Sequence, residues 1–252
     1  MKALITGASS GIGRDMARYL AQKGYDLIIA ARREERLNEL KKELKNVNVR
    51  CIKVDLSSVE GCKSLYSQTK DENIDMLINN AGFGLAGEFV DTDLDTELNM
   101  IDTNIKALHV LTKLYLNDFV KKDSGIILNV ASSAAFMAGP LLSAYYATKN
   151  YVLRLSEAIY EELKKRDSNV KISVFCPGPV NTEFNKVAKV EFSLKEISSE
   201  YAAKYAIDKA LSGKLIIVPG FYIKAGIFLR RFISEKQMLK ISYNIQHRKN
   251  YK

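Results

Sequence analysis

The chain of 252 residues contains no tryptophan, only four prolines, three cysteines and two histidines. Each shortage excludes something. Cys51, Cys62 and Cys176 are odd in number and widely spaced. That argues against a disulfide framework or a zinc ribbon and for inert, buried thiols. His109 and His247 stand alone, so a multi-histidine metal site is excluded. The prolines (Pro140, Pro177, Pro179, Pro219) mark turns, and no Ser/Gly-rich linker, repeat or low-complexity tract occurs. One continuous domain is expected. No apolar run approaches the ~18 residues of a membrane span. The first residues carry no apolar stretch ending in a small-residue cleavage site. A cytoplasmic protein is expected.

What is present fits a globular chain. Apolar residues are 47% and charged residues 27%, close to the average. A chain of this length can bury roughly 70–75% of its unfolded surface without covalent or metal staples. The net charge of +9 is unevenly spread. Residues 221–252 hold eight Lys/Arg and one acid, Glu235, a net of +7, while the preceding 220 residues hold 30 bases and 28 acids. The body is nearly neutral and the tail is basic.

Short apolar runs alternate with stretches of helical period. Strands are predicted over Ala3–Thr6, Asp26–Ala30, Val47–Val54, Asp75–Asn79, Gly125–Ala131, Val170–Phe175 and Lys214–Pro219. Helices are predicted over Ile12–Lys23, Glu34–Lys45, Val59–Glu72, Asp93–Lys121, Ser143–Arg166 and Ser199–Ser212. Such alternation implies parallel strands joined by right-handed crossovers. Runs like Leu27-Ile28-Ile29-Ala30 are apolar on both faces, as in a sheet covered on both sides. The expected fold is α/β: a doubly wound parallel sheet of about seven strands, with residues 1–220 as one domain and 221–252 as a helical extension. Ligands are expected beyond the carboxyl ends of the strands, where strand order switches.

The first strand runs into Thr6-Gly7-Ala8-Ser9-Ser10-Gly11-Ile12-Gly13. Glycines there allow positive φ and close backbone approach, and a helix N-terminus offers N–H groups to phosphate. The run also matches the G-x-S-x-G nucleophile elbow of hydrolases. No earlier strand exists to supply an oxyanion loop, and the only late histidine lies in the basic tail, so that reading fails. The spacing is not the G-x-G-x-x-G of dinucleotide-binding dehydrogenases at large. Its T-G-x-x-x-G-x-G pattern resembles the short-chain dehydrogenase/reductase family, in its shorter, single-domain branch.

The resemblance extends through residues 2–183 and implies a Rossmann fold and a nicotinamide cofactor. Cofactor contacts are expected from Gly7, Ser9, Ser10, Gly11, Ile12 and Gly13. The second strand ends Ala30-Ala31-Arg32-Arg33, with no acid where one would bind a ribose 2′-hydroxyl. An arginine there accommodates a 2′-phosphate, so NADP(H) is expected, with Arg32 favoured over Arg33 as the phosphate contact. Asp55, in Asp55-Leu56, matches the family's adenine-binding aspartate, although an aspartate before Ser57 also suits a helix cap. Asn79-Asn80-Ala81-Gly82 resembles the family's N-N-A-G motif, placing Asn80, Ala81 and Gly82 along the cofactor cleft. Pro177-Gly178-Pro179-Val180-Asn181-Thr182 resembles P-G-x-V-x-T, which implies that Pro177, Gly178, Val180 and Thr182 meet the nicotinamide.

Tyr145-Tyr146-Ala147-Thr148-Lys149 begins the long helix. Residues three or four apart share a face, so spacing alone lets either tyrosine meet Lys149. The family pattern Y-x-x-x-K selects Tyr145, with Ser132 thirteen residues earlier and Asn104 as the fourth position. The chemistry suits these types. A carbonyl oxygen that gains charge needs a proton donor. Tyrosine titrates near pH 10, and a lysine cation about 5 Å away favours phenolate by roughly 3 kcal/mol at an effective dielectric of about 20. By resemblance, Lys149 also holds the nicotinamide ribose, Ser132 donates to the substrate oxygen, and Asn104 holds a water that links Lys149 to solvent.

The segment Glu183–Ser198 is expected to form a lid. It mixes Phe184, Val187, Val190, Phe192 and Leu194 with Lys186 and Lys189, and the loop Phe83–Phe89 is expected to line the other side. Both suggest an apolar carbonyl or alcohol substrate. In the tail, Phe221, Ala225, Phe228, Leu229 and Phe232 recur at helical spacing among Lys224, Arg230 and Arg231. A second stripe holds Met238, Ile241 and Ile245. Such a helix can dock on the body, lie on an anionic membrane surface, cover the cleft or pack on a partner. Nucleic acid is not an expected partner, because the body lacks a basic face. A homo-oligomer is expected, a dimer more than the family's tetramer, because the extension replaces a glycine-rich end. The expected function is an NADPH-dependent carbonyl reductase or alcohol dehydrogenase. The alternatives are an NADP(H)-binding redox sensor without efficient turnover and a membrane-associated scaffold.

Overall fold

The computed structural model describes residues 1–188 and 196–250, without the side chains of 186, 187 and 248–250. Its strands are β1 (Lys2–Thr6), β2 (Asp26–Ala31), β3 (Val49–Lys53), β4 (Met76–Asn79), β5 (Ile126–Val130), β6 (Lys171–Phe175), β7 (Val180–Asn181), β8 (Ile197–Ser198) and β9 (Ile216–Ile217). The helices are α1 (Gly11–Gln22), α2 (Glu34–Glu43), α3 (Val59–Thr69), α4 (Leu94–Ile101), α5 (Leu108–Lys121), α6 (Ser143–Lys165), α7 (Phe184–Val187), α8 (Ser199–Leu211), α9 (Phe221–Leu229) and α10 (Glu235–Asn250).

Seven strands form one parallel sheet in the order β3-β2-β1-β4-β5-β6-β9. Side chains alternate between faces along a strand, and here both faces are covered. Ile5 and Ile29 pack with Met16 and Leu20 of α1 and Ala203 and Ala206 of α8. Leu4 and Ile28 point the other way, into a cluster with Leu65 of α3 and Leu111, Tyr115 and Phe119 of α5. This two-sided burial explains the uninterrupted apolar runs. The order reverses between β1 and β4, which opens the expected crevice at their carboxyl ends. β7 and β8 make a separate parallel pair that the periodicity did not announce.

Two departures bear on function. The helix expected over Asp93–Lys121 is continuous, but residues Asp102–Ala107 form a π-helical turn between α4 and α5. The tail docks, but not through its predicted stripes. Ile223 and Ile227 of α9 pack against the cluster of Ala131, Ala135, Val174 and Cys176, whereas Phe221, Phe228, Leu229 and Phe232 are exposed. Both sides of α9 are apolar, so periodicity could not say which one meets the body. In α10, Ser242 and Gln246 are buried while Ile241 and Ile245 are exposed. Gln246 Nε2 donates to Tyr146 Oη at 2.9 Å, and this polar anchor sets the rotation of the helix. Among the described residues no helix is long and apolar enough to cross a membrane.

Candidate active site

The crevice is built where the turn after β1 meets the end of β4. Gly7 has φ +68°, and a Cβ there would lie 2.8 Å from Ala81 Cα. A Cβ on Gly13 would collide with Asn80 Nδ2 and the Gly7 carbonyl. The glycines thus let Asn80-Ala81-Gly82 press against the turn. Asn80 Nδ2 donates to the carbonyls of Thr6 (3.0 Å) and Gly7 (3.2 Å). Thr6 Oγ1 accepts from the N–H of Asn80 (3.0 Å) and Ala81 (3.2 Å). Thr6 is a positioning residue that the sequence reading passed over.

At the mouth of the turn Ser10 is the N-cap of α1, yet its side chain makes no capping bond. It accepts from Arg33 Nη2 at 2.8 Å instead, and Ser9 Oγ accepts from Arg33 Nε (3.3 Å) and Nη2 (3.2 Å). Arg33 Nη1 and Arg36 Nη1 also grip the two carboxylate oxygens of Glu183, at 3.0 and 2.5 Å. Together they hold the Glu183 carboxyl below the usual carboxylate range, Arg36 more strongly than Arg33. The sequence favoured Arg32 over Arg33 and offered no sign of Arg36. Arg32 is exposed and lies near Asp55, helping to lower the Asp55 carboxyl. The larger cause is the Ser57 N–H, which donates to Asp55 Oδ1 at 3.0 Å; Asp55 thus closes a turn ahead of α3, whose cap is Ser58 and not the aspartate.

Thr182 reaches across to α1: a Cβ on Gly11, where φ is +53°, would stand 3.1 Å from Thr182 Cγ2. Val180 is buried in the core on the α1 and α8 side of the sheet. The Pro177 carbonyl accepts from Ser133 N at 2.7 Å, and Gly178 makes room for Ile223 of α9. Thr182 is thus brought to the glycine turn and Pro177 to the Ser132–Ser133 loop, while Val180 and Gly178 pack into the body.

The other end is buried. Tyr145 is 8% and Lys149 5% exposed, and Asn104 only 1%. Ser132 Oγ accepts from Ala134 N at 3.2 Å and lies close enough to Tyr145 to lower its hydroxyl pKa against the effect of burial. The structure separates the two tyrosines. The Lys149 ammonium lies 5.8 Å from the Tyr145 ring centre, whereas Tyr146 faces away toward Gln246 of α10. Asn104, on the π-helical turn, accepts from Phe83 N (3.0 Å) and donates to Phe83 O (2.9 Å) and Thr148 Oγ1 (3.1 Å). A π-turn inside an α-helix re-aims side chains and recurs at functional sites. A Cβ on Gly82 would sit 2.7 Å from Asn104 Oδ1 and 3.4 Å from Lys149 Nζ, so the missing side chain leaves these two groups open to each other. Asn150, also unforeseen, donates to the carbonyls of Ala134 (3.2 Å), Met137 (2.9 Å) and Tyr146 (2.9 Å). It thereby ties the Ser132 loop to α6.

The electrostatics depart from the simple lysine–tyrosine picture. Burial drives the Tyr145 hydroxyl well above its ordinary range, and the nearby Ser132 hydroxyl is the influence that opposes it. Lys149 is itself desolvated, which pulls its pKa down from the usual 10.5 to about 8. Its Nζ donates to the Val130 carbonyl at 3.1 Å. The cation expected to favour phenolate is thus weakened by the burial that surrounds the tyrosine.

Phe184 packs on Tyr145 with ring centres 5.4 Å apart. Phe83, Leu85 and Ala86 gather around the same cluster, while Phe89 is exposed. The first turn of the expected lid and the start of the expected loop therefore meet over the tyrosine. Lys189, Val190, Phe192 and Leu194 lie outside the described residues. A cavity of about 600 Å³ opens on the Tyr146 side of α6, with Arg154, Asn150, Arg230 and Leu239 in its walls. Among the described residues no group of three or more His, Cys, Asp or Glu is placed to hold a metal ion.

Comparison with known proteins agrees with this architecture. The short chain dehydrogenase family profile matches residues 1–191. An NADP-dependent 3-hydroxy acid dehydrogenase of Schizosaccharomyces pombe is 36% identical over 194 residues, 73% of each chain. A very-long-chain 3-oxoacyl-CoA reductase of Mus musculus is 30% identical over 212 residues, 81% of this chain and 67% of that protein. A Sphingobium yanoikuyae short-chain dehydrogenase solved with NADPH superposes with a TM-score of 0.82 at 28% identity, covering 94% of this chain and 97% of that one. A Burkholderia phymatum relative solved with NAD shares the fold, with a TM-score of 0.84 at 22% identity and 92% of each chain covered. The match to residues 1–191, on a seven-stranded parallel sheet, makes this chain a member of the short-chain dehydrogenase family and an oxidoreductase.

Proposed function

We propose that the protein is an NADP(H)-dependent reductase of a hydrophobic carbonyl compound, or the reverse dehydrogenase of the corresponding secondary alcohol. The observation that carries this reading is the cluster of buried Tyr145, Lys149 and Asn104 with half-buried Ser132 beyond the ends of β4 and β5. Bound NADP(H) supplies or accepts the hydride. The chain's own residues do the rest. The first turn of α1 and its uncapped N–H groups suit a pyrophosphate, with Gly7, Gly11 and Gly13 keeping the backbone close. Ser9, Ser10, Arg33 and Arg36 form a donor set suited to a 2′-phosphate, with Arg32 beside it at Asp55. The Glu183 carboxylate already engages two of those donors, so a phosphate there competes with Glu183. That arrangement favours NADP(H) over NAD(H).

Tyr145 Oη donates a proton to the carbonyl oxygen in reduction and takes it back in oxidation. Ser132 Oγ donates a hydrogen bond to the same oxygen, where charge develops. With a pKa of about 8, Lys149 can both carry a proton and release it near neutral pH. Both amide hydrogens of Asn104 are engaged, so the second lone pair of its Oδ1 is the side-chain position left for a relaying water. Phe184, Phe83 and Leu85 exclude water and favour an apolar substrate. The 3-hydroxy acid and 3-oxoacyl relatives support a substrate of acyl type.

The test is consumption of NADPH, with NADH in parallel, over carbonyls from small aldehydes to ketosteroids and 3-oxoacyl thioesters. Turnover that prefers NADPH and vanishes in Tyr145→Phe is expected. Tight NADPH binding with no turnover on any substrate would favour the redox-sensor reading instead.

A further inference from the structure

A helix that is apolar all round is stable only when all of it is covered. Helix α9 reads Phe221-Tyr222-Ile223-Lys224-Ala225-Gly226-Ile227-Phe228-Leu229, and only half of it is covered. Ile223 and Ile227 face the core. Phe221 (78% exposed), Tyr222 (86%), Phe228 (56%) and Leu229 (57%) lie on the opposite side, continued by Phe232 (75%). These outer rings pack on one another, Phe221 on Tyr222 at 6.1 Å and Phe228 on Phe232 at 5.6 Å between centres. They form an apolar ridge on a helix whose other face packs on the body through partly buried Ile223 and Ile227. Contiguous exposed apolar surface of this kind marks an interaction site.

Charge decides what covers it. Residues 221–252 carry a net +7 of the chain's +9. Among the described residues Arg230 alone of the tail's cations pairs with a carboxylate, Glu235 at 2.5 Å. Arg231, Lys236 and Lys240 are exposed beside the ridge in sequence. A second copy docking through the same face would bring two +7 segments together, and an isologous contact cannot avoid that. An anionic lipid surface offers an apolar layer for the rings and negative headgroups for the cations. We infer that the outer face of α9, with Phe232 and the flanking cations, seats the protein peripherally on an anionic lipid bilayer. Ile223, on the inner face of α9, fits against Gly178, so the helix that carries the ridge packs on the Pro177–Thr182 segment while its outer face meets the lipid.

Co-sedimentation of the full-length protein with phosphatidylcholine vesicles, with and without phosphatidylglycerol, tests this without any cofactor. The outcome is therefore independent of the reductase reading. The protein is expected to sediment with the anionic vesicles and not with the neutral ones. Phe221→Ser/Phe228→Ser/Phe232→Ser should lose at least about tenfold in apparent affinity, with unchanged circular dichroism because all three side chains are exposed. Arg231→Glu/Lys236→Glu should lose binding in the same direction. The inference is overturned by no binding to either vesicle, by equal binding to both, or by undiminished binding of the aromatic variant. It is also overturned if that variant dissociates an oligomer in sedimentation velocity while vesicles recruit neither protein, because the ridge would then join two copies.

Discussion

The two ends of the crevice handle charge in opposite ways. At the phosphate end Arg33, Arg36 and Glu183 are each at least a third exposed and satisfy one another through ion pairs. At the catalytic end Tyr145, Lys149 and Asn104 are buried, and desolvation displaces both titrating groups toward their neutral forms. Exposed ion pairs cost little to make or exchange, which suits groups that must release one anion for another. Buried groups have no such freedom, but small changes in their surroundings move their protons. On the proposed function, the exposed end suits recognition and the buried end suits proton transfer.

Substitutions at the two ends should therefore separate binding from chemistry. The largest effect is expected at Tyr145→Phe, which removes the proton donor and should lower turnover by about 10²–10⁴. Next comes Arg33→Ala, which removes donors to Ser9, Ser10 and Glu183. It should cut the preference for NADPH over NADH by about ten- to a hundredfold in paired KM measurements, the worth of one charge-assisted contact. Tyr145→Phe should leave that preference unchanged.

Lys149→Met sharpens the contrast, because it should abolish turnover yet stabilise the fold. The folded-state pKa of about 8 lies below the usual 10.5. The burial penalty therefore weighs fully below pH 8 and fades as pH rises toward 10.5, where the unfolded chain also loses the proton. Removing the ammonium should raise stability at pH 7 by about 1–3 kcal/mol, and denaturant titrations should show this advantage shrinking between pH 8 and 10.5. The smallest effect is expected at Glu183→Gln. It removes a competing carboxylate from an exposed pair of arginines and should tighten NADPH binding by about two- to fivefold, with little change for NADH.

Much of this was legible in the sequence because the sheet is covered on both faces. Continuous runs such as Leu27–Ala30 and the glycine turn left few other folds, and the strands fall within two residues of their predicted ends. The last of the seven sheet strands is trimmed most, by two residues at each end to Ile216–Ile217, and the short pair β7 and β8 was not predicted. The π-helical turn was not legible, since the apolar period runs through Asp102–Ala107 unbroken. The roles of Arg32 and Arg33 were not legible either. Adjacent residues at a strand end point in different directions, and the bonds from Arg33 to Ser9, Ser10 and the distant Glu183 exist only in the folded chain. The choice of Tyr145 over Tyr146 needed the family pattern, and the structure supplies the physical ground in Gln246 of α10. Apolar periodicity misread the docking face of α10, because the contact there is a polar bond to a tyrosine hydroxyl.

The most direct test of the division between the two ends is a stopped-flow experiment on Tyr145→Phe. NADPH binding and single-turnover hydride transfer would be measured on the same samples as for the native chain. The dissociation constant should stay within about threefold, while the transfer rate falls by at least about a hundredfold. A variant that binds NADPH poorly, or that transfers hydride at the native rate, would contradict the account.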